Sequence, residues 1–196
     1  MSVHLSRSST RKLSATSGTQ VDFVESDLYG APDVLDSHAF DLVYTGIGAL
    51  CWLPDIERWA AVVASLLAPG GRLFMREGHP VLWSLQDDRE DDLLAIEFPY
   101  FEQDEPLVWN DGGTYVDTDH TFEHTTTHEW SHGLGEIVTA LLEAGMTITG
   151  LVEHDSVPWQ ALPGRMTRLA GGEWQLTDRP RRLPHTYTLQ AVRTAV

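Results

Sequence analysis

The most constraining feature of this sequence is a strong helix signal with an apolar run on each side. Pro54 suits the first turn of a helix, and the acids Asp55 and Glu57 suit its positive end. One face of the following turns is apolar and comprises Ile56, Trp59, Val62, Val63, Leu66 and Leu67, before Pro69-Gly70 ends the helix. Two apolar runs flank this helix and are typical of buried strands. They are FDLVYTGIG, from Phe40 to Gly48, and GRLFMREGH, which starts at Gly70-Gly71 and ends at His79. Such a repeat predicts parallel strands joined by a helix.

The same alternation extends over most of the chain. VDFVESD, Val21–Asp27, is a third apolar run, and a weaker helix signal covers Ser6–Ser17. A second strong helix is predicted at about Gly133–Ala144, followed by a strand at Met146–Val152 and by HTYTLQAVR, which alternates from His185 as a last strand would. We therefore predict an α/β fold in one domain, residues 1–196, with a largely parallel sheet and helices on both faces.

Residues 81–132 interrupt the alternation. They carry many aromatic residues among acids and turn residues, namely Trp83, Phe98, Tyr100, Phe101, Trp109, Tyr115, Phe122 and Trp130. We predict that this segment is an inserted, β-rich cap over one end of the sheet.

The charge of the chain limits its partners. With 13 basic and 29 acidic side chains, the formal net charge is −16, which repels phosphate backbones and anionic lipid surfaces. We therefore expect neither nucleic acid nor a membrane as a partner. The single cysteine, Cys51, excludes an intramolecular disulfide, and MSVHLSRSSTRKL lacks the apolar run of a signal peptide. A cytoplasmic location is the expectation.

Several motifs together resemble a known family. VDFVESDLY, FDLVYTGIGALCWLPD and LLAPGGRLFMREGHP resemble the second half of the class I S-adenosylmethionine-dependent methyltransferases. HEWSHGLGEIVTALLEAGM followed by LPHTYTLQAV is similar to a small-molecule branch of that family, in which a cap precedes the last helix. The resemblance implies a Rossmann-like sheet of order 3-2-1-4-5-7-6, with the cofactor S-adenosyl-L-methionine across the carboxyl ends of the strands.

One part of the family pattern is missing from this sequence. The family's strand 1 and its glycine-rich cofactor loop have no counterpart, and His4 stands where the family usually has an acid that holds the ribose. The resemblance therefore implies an N-terminally shortened chain with a sheet that is incomplete at strand 1. The strand at Phe40 would then be an unpaired edge, and such an edge favours a homo-oligomer.

The cofactor-binding candidates follow the first two apolar runs. The resemblance implies that the Asp27 carboxylate accepts a hydrogen bond from the adenine amino group and that the Leu28 backbone amide meets the ring. A solvated acid at a strand end is the alternative for Asp27. Tyr44, Thr45, Gly46 and Gly48 form the turn after the strand at Phe40. Glycine permits a ligand to approach the backbone closely, although a tight strand-to-helix turn would explain the same residues.

The catalytic candidates are Glu77 and His79, just beyond a predicted strand end. Methyl transfer is a direct displacement in which alignment supplies much of the acceleration, and a base is needed only when the acceptor must lose a proton. His79 is the candidate base. A turn histidine before Pro80 is the alternative.

Four histidines recur at every fourth position: His120, His124, His128 and His132. Thr125-Thr126-Thr127 favours a strand, on which these even positions share one face. They lie too far apart along a strand to bind one ion, so we predict no metal site from them alone. Glu129, Trp130 and His132 match an E-W-x-H pattern of the family, which implies that they line the acceptor pocket. A plain sheet surface remains the alternative.

Three functions are compatible with these observations. The first is S-adenosylmethionine-dependent methyl transfer to a small-molecule acceptor, possible only if cofactor binding survives the shortening. The second is a non-catalytic relic, or a subunit completed by a partner chain. The third is a divalent-metal-binding protein that uses the histidines.

Overall fold

The computed structural model describes residues 16, 18, 21–87, 89, 91, 93–110 and 124–194. The helix predicted for Ser6–Ser17 lies almost wholly outside these residues, as do His4 and His120. Within them the helices are α1 (Ala31–Val34), α2 (Ile56–Leu66), α3 (Pro80–Trp83) and α4 (Leu134–Glu143), with a 3-10 turn at Leu50–Trp52. The strands are β1 (Phe40–Thr45), β2 (Leu67–Gly78), β3 (Leu107–Trp109), β4 (Thr127–Glu129), β5 (Met146–His154), β6 (Met166–Arg168), β7 (Trp174–Leu176) and β8 (Thr186–Arg193). Among the described helices, none has the length and apolar composition of a membrane span.

The main sheet has four strands in the order β1-β2-β8-β5. β1 pairs with β2 in parallel, whereas β8 is antiparallel to both β2 and β5. This order is the one expected for strands 4, 5, 7 and 6 of the family that the sequence resembles. The α/β prediction and the strands predicted from Phe40, Gly70, Met146 and His185 are confirmed.

Helix α2 begins slightly later than predicted, because Pro54, predicted for its first turn, precedes the Asp55 cap. The carboxylate of Asp55 accepts a hydrogen bond from the Arg58 amide at 2.9 Å and so caps the helix. The apolar stripe of α2 packs against α4 and the sheet in one core, formed mainly by Ile56, Trp59, Val63, Leu67, Leu73, Met75, Ile137, Leu141, Tyr187 and Leu189. Burial of this stripe fixes the helix on the sheet.

Both long helices lie on the same face of the sheet, where we expected helices on both faces. Leu73 and Met75 of β2 belong to the core with α2 and α4, whereas Arg72 and Phe74 at the alternate positions are exposed. Side chains alternate between the faces of a strand, so the exposed residues define a second face. In the described part of the chain, no long helix covers that face.

Strand β1 is an edge of the sheet within the described residues. Its side chains on the open face are apolar and accessible, with Leu42 47% and Tyr44 65% exposed. The Tyr44 ring stacks on Phe74, with centroids 6.2 Å apart. Among the described strands, none pairs with the outer backbone groups of β1, so these groups lie beside an apolar surface.

The prediction of a strand at Val21–Asp27 is wrong. These residues have no regular secondary structure, and Phe23 and Val24 are each 52% exposed. A strand requires a neighbour for its backbone groups, and none of the described strands lies beside this segment. The apolar residues of this segment have the composition of a strand, but composition does not show whether a neighbouring strand is present to pair with it.

A second, smaller core lies beside the sheet and was not predicted. Strands β6 and β7 form a hairpin, and its residues pack against α3 and the segment after it, in a cluster of Leu82, Leu85, Val157, Leu162, Met166 and Leu176. A bidentate ion pair between Arg76 and Glu173 joins this hairpin to β2 at 2.6 and 3.0 Å. The chain between β5 and β8 is therefore structured rather than a simple loop.

Candidate functional site

The carboxyl ends of β1 and β2 meet at a loop that is held by one buried acid. The Oε1 atom of Glu77 accepts hydrogen bonds from the Gly48 and Gly78 amides at 2.5 and 2.7 Å. Its Oε2 atom accepts from the amides of Ala49 and Leu50 at 2.8 and 3.1 Å. Burial raises the pKa of the Glu77 carboxyl, and these four hydrogen bonds lower it and offset part of the rise. Glu77 thus fixes the turn that follows β1.

The two glycines of this turn leave space beside the backbone. Gly48 has a φ of 77°, which disfavours any residue with a side chain, and no atom lies within 4 Å of the position of its missing Cβ. At Gly46 the nearest neighbour of that position is the Tyr44 ring at 3.9 Å. The predicted residues Tyr44, Thr45, Gly46 and Gly48 are therefore at the end of β1, although the Tyr44 ring lies on the open face of the sheet.

The segment that contains Asp27 and Leu28 lies at the same end of the sheet. The Tyr29 hydroxyl donates to the Asp55 carbonyl at 3.0 Å and accepts from the Asp55 amide at 3.1 Å. The Arg58 guanidinium lies over the Tyr29 ring, 4.2 Å from its centroid. These contacts hold the segment at the start of α2, which is where the loop after β1 also arrives. The structure therefore brings the two halves of the predicted cofactor site to one edge.

Asp27 itself is exposed and makes a local turn. Its Oδ1 atom accepts a hydrogen bond from the Gly30 amide at 2.9 Å. No described residue donates to Oδ2. Leu28 packs against the main core. The side chain of Asp27 consequently has acceptor capacity toward solvent, while the chain beside it is anchored.

His79 occupies a structural position with both ring nitrogens engaged. Its Nδ1 atom accepts a hydrogen bond from the Val81 amide at 3.1 Å and caps α3. Nδ1 is therefore the unprotonated nitrogen, and Nε2 donates to Glu153 at 2.9 Å. Burial lowers the pKa of His79, and the Glu153 carboxylate offsets part of that change. The base role of His79 stays a prediction, and these contacts would have to break before Nδ1 could accept a proton.

The segment predicted to be a cap is attached to the loop after β1 through Trp130 and His132. The Trp130 amide donates to the Cys51 carbonyl at 2.9 Å. His132 is 5% exposed, and its Nδ1 and Nε2 atoms each lie 2.7 Å from an oxygen, the first of Glu102 and the second of the Leu53 carbonyl. Glu129 ends β4 opposite Leu107. The predicted acceptor-pocket residues therefore lie where the cap meets the loop.

The remaining described histidines of the series do not join His132. His124 and His128 are exposed, whereas the odd-numbered neighbours of His128 in β4 are partly buried. The alternation predicted for the strand holds as far as His128, and it places these rings toward solvent. No group of three or more possible metal ligands occurs among the described residues.

Several site residues were not predicted from the sequence. The carboxylate of Glu136 accepts hydrogen bonds from the amides of Gly133 and Glu102 at 2.5 and 3.3 Å. Its position three residues after the helix cap is a known sequence signal for such a role. Glu102 and Glu153, in contrast, are distant in sequence from the histidines that they contact, and no local pattern indicates those pairs.

Comparison with known proteins adds fold-level matches. The chain is similar to a structure assigned as an S-adenosylmethionine-dependent methyltransferase from Listeria monocytogenes, with a TM-score of 0.62 and 14% identity over 97% of this chain and 77% of that one. It is also similar to S-adenosylmethionine-dependent methyltransferases from Mesorhizobium loti (TM-score 0.59, 19% identity, 96% and 77% covered) and Clostridium acetobutylicum (TM-score 0.56, 14% identity, 97% and 73% covered).

No protein-family model matches the sequence, and no curated protein matches it. At these identities the structural matches establish the arrangement of the backbone. The β1-β2-β8-β5 sheet with its antiparallel β8 agrees with them. The chain has the fold of the class I S-adenosylmethionine-dependent methyltransferases.

Proposed function

We propose that this protein binds S-adenosyl-L-methionine and transfers its methyl group to a small-molecule acceptor. The observation that carries the proposal is the loop after β1. It lies at the carboxyl edge of a sheet with the methyltransferase fold, and the four amide hydrogen bonds to Glu77 hold it there. Ligands of open α/β sheets bind at this edge.

The residues at the edge fit such a cofactor. Space beside Gly46 and Gly48 permits close approach to the backbone. The exposed carboxylate of Asp27 would accept a hydrogen bond from the adenine amino group, and the Leu28 amide would meet the ring. When bound, S-adenosyl-L-methionine supplies a methyl group on a sulfonium centre, and these residues bind and orient it.

Features of the cap support an acceptor of small size. Trp130 and His132 fasten the cap to the loop at Cys51 and Leu53, so a bound acceptor would lie beneath it. Buried polar groups are normally hydrogen-bonded. Among the described residues, the Trp130 indole N–H and the Tyr187 hydroxyl are buried without a hydrogen-bond partner. The net charge of −16 disfavours a nucleic acid in this role.

Calorimetric titration with S-adenosylhomocysteine tests the proposal. Titration of the wild-type protein should give a heat signal that saturates as the site fills. D27A should weaken binding because it removes the proposed hydrogen-bond acceptor for the adenine amino group. D33A is the matched control, since it makes the same substitution at an exposed acid on α1. Absence of binding by the wild-type protein at millimolar ligand would refute the proposal.

A second candidate is favoured by the exposed edge strand. We propose that β1 pairs with β1 of a second copy and extends the sheet across the interface. Its outer backbone groups are unpaired among the described residues, and its apolar side chains, Leu42 and Tyr44, are accessible. Sedimentation velocity over a range of protein concentrations distinguishes a dimer from a monomer.

A further inference from the structure

Glu77 is an unusual acid because it is buried without a cation. Glu77 is 4% exposed, and no lysine, arginine or histidine in the described part of the chain forms an ion pair with it. A buried carboxylate is costly unless other groups replace the hydration that it has lost. Here four backbone amides do so, and each oxygen accepts two of them.

Three of those amides belong to consecutive residues, Gly48, Ala49 and Leu50. Consecutive N–H groups that converge on one point form a concave anion site. In this protein the anion is a side chain from the neighbouring strand. The path of the loop therefore depends on Glu77, which is 27 to 29 residues away in the sequence.

The same geometry separates Glu77 from direct catalysis. A carboxylate has about four lone-pair directions, and four donors use them. Little of the side chain reaches the surface where an acceptor would enter. Glu77 therefore has no oxygen available to take a proton from a substrate while the loop keeps this conformation.

We infer that Glu77 is a positioning residue, whose carboxylate sets the conformation of the loop at residues 46–50 and thereby the affinity of the protein for its cofactor. This inference rests on the proposed function, because it assigns the loop to the cofactor. It replaces the catalytic role that the sequence suggested for Glu77. The acid acts through the backbone of Gly48, Ala49 and Leu50.

The substitution E77Q keeps the shape of the side chain and removes one acceptor oxygen. The amide NH₂ of glutamine would face two backbone N–H groups, so half of the cradle would be lost whichever way the side chain lies. We expect faster amide hydrogen exchange in peptides that cover residues 46–53. We also expect the Kd for S-adenosylhomocysteine to rise by about tenfold to a hundredfold, because small displacements of positioning groups have effects of this size. E143Q, at an exposed position on α4, is the control and should change neither measurement.

The pH dependence of cofactor affinity is a second measurement, and a residue with a purely structural role would not affect it. Protonated Glu77 is a poorer hydrogen-bond acceptor, so the affinity of the wild-type protein should decrease as the pH is lowered. The decrease should begin above the ordinary pKa range of a glutamate, because burial raises the pKa of Glu77. E77Q should lack that component. The titratable groups that interact with Glu77 from neighbouring elements are Tyr187 of β8 and Cys51 of the 3-10 turn. Burial raises the pKa of both, so they stay neutral over this range.

The possible outcomes separate the two proposals. If the wild-type protein binds S-adenosylhomocysteine and E77Q binds it equally well with unchanged exchange, the inference about Glu77 is refuted and the proposed function stands. If the wild-type protein does not bind the ligand, the proposed function fails, and unchanged exchange in E77Q would refute the loop role as well. If E77Q does not fold, the pH dependence of the wild-type protein tests the inference instead. The protection of the loop amides from exchange and the affinity for S-adenosylhomocysteine must then decrease over the same pH range. Decreases over different pH ranges would overturn the inference.

Discussion

The imidazole of His132 lies between the carboxylate of Glu102 and the carbonyl of Leu53, with 2.7 Å on each side. Each ring nitrogen therefore lies within hydrogen-bonding distance of one acceptor oxygen. One partner belongs to the cap and the other to the segment that leads into α2. His132 therefore fastens the cap to the edge of the sheet where the cofactor site is proposed.

Removal of the His132 ring should destabilise the protein. H132A deletes two hydrogen bonds of a buried ring and leaves a cavity beside the partly exposed Glu102 carboxylate, for a loss of about 2–4 kcal/mol in the free energy of unfolding. H128A removes an exposed ring of β4 and should lie within about 0.5 kcal/mol of wild type. Chemical denaturation of both variants measures the difference. Equal effects would show that the His132 contacts do not stabilise the cap.

The stability of the protein should fall as the pH falls below the ordinary range of histidine. Burial lowers the pKa of His79 and of His185 from 6.5. The unfolded chain therefore takes up these protons at a higher pH than the folded protein does. The corresponding stability is fully present above about pH 6.5 and is lost as the pH falls through the lower folded values.

The substitution H79N isolates one of these two histidines. Asparagine is a good helix cap, and its side-chain oxygen can accept the Val81 amide in place of Nδ1. The variant should keep most of its stability at pH 7.5 and lose less than wild type between about pH 7 and 5.5. Thermal melts across this range measure the slope. An unchanged slope would assign the pH dependence to His185 or to other groups.

Gly78 should not tolerate a larger residue. A Cβ there would lie 2.5 Å from Nε1 of Trp83, so G78A must displace the indole from its stack on Trp159. We expect a loss of about 1–3 kcal/mol from this overpacking. If the clash causes this loss, G78A should destabilise the W83L variant less than it destabilises the wild-type protein. Additive effects would contradict the clash.

A matched glycine substitution should have the opposite sign. Gly135 lies within α4, and apart from its chain neighbours and the backbone of the helix itself, no atom lies within 4 Å of the position of its missing Cβ. G135A should stabilise the protein by about 0.5–1 kcal/mol because alanine is the better helix former. Equilibrium denaturation of the two alanine variants side by side tests both statements.

A charge on the outer part of β1 should prevent the proposed pairing of two copies. Leu42 is accessible on the edge strand, and a lysine there is a feature that natural edge strands use against pairing. L42K should sediment as a monomer at concentrations where wild type forms a dimer. The control is V152K on β5, the opposite edge of the sheet, where Val152 is 54% exposed. Dimers in both variants would place the interface elsewhere.

The sequence by itself determined the order and type of the main elements. The apolar stripe of α2 and its Asp55 cap are local patterns, and so are the alternation of β8 and the apolar run of β5. Each of these segments buries one face or both, which leaves a periodic signature in the sequence. The four-stranded half of the fold could therefore be predicted.

Tertiary structure alone decided which of these segments have neighbours and what the polar side chains do. Val21–Asp27 has the composition of a strand, but strand formation requires a paired backbone that the sequence of the segment cannot supply. The position of Glu77 near a strand end makes it a catalytic candidate in the sequence, and only the fold brings the amides of Gly48, Ala49 and Leu50 to its carboxylate. His132 likewise differs from His128 because a distant glutamate and carbonyl surround it. Hydrogen bonds between residues far apart in sequence leave no local period, so their partners become visible only when the chain is folded.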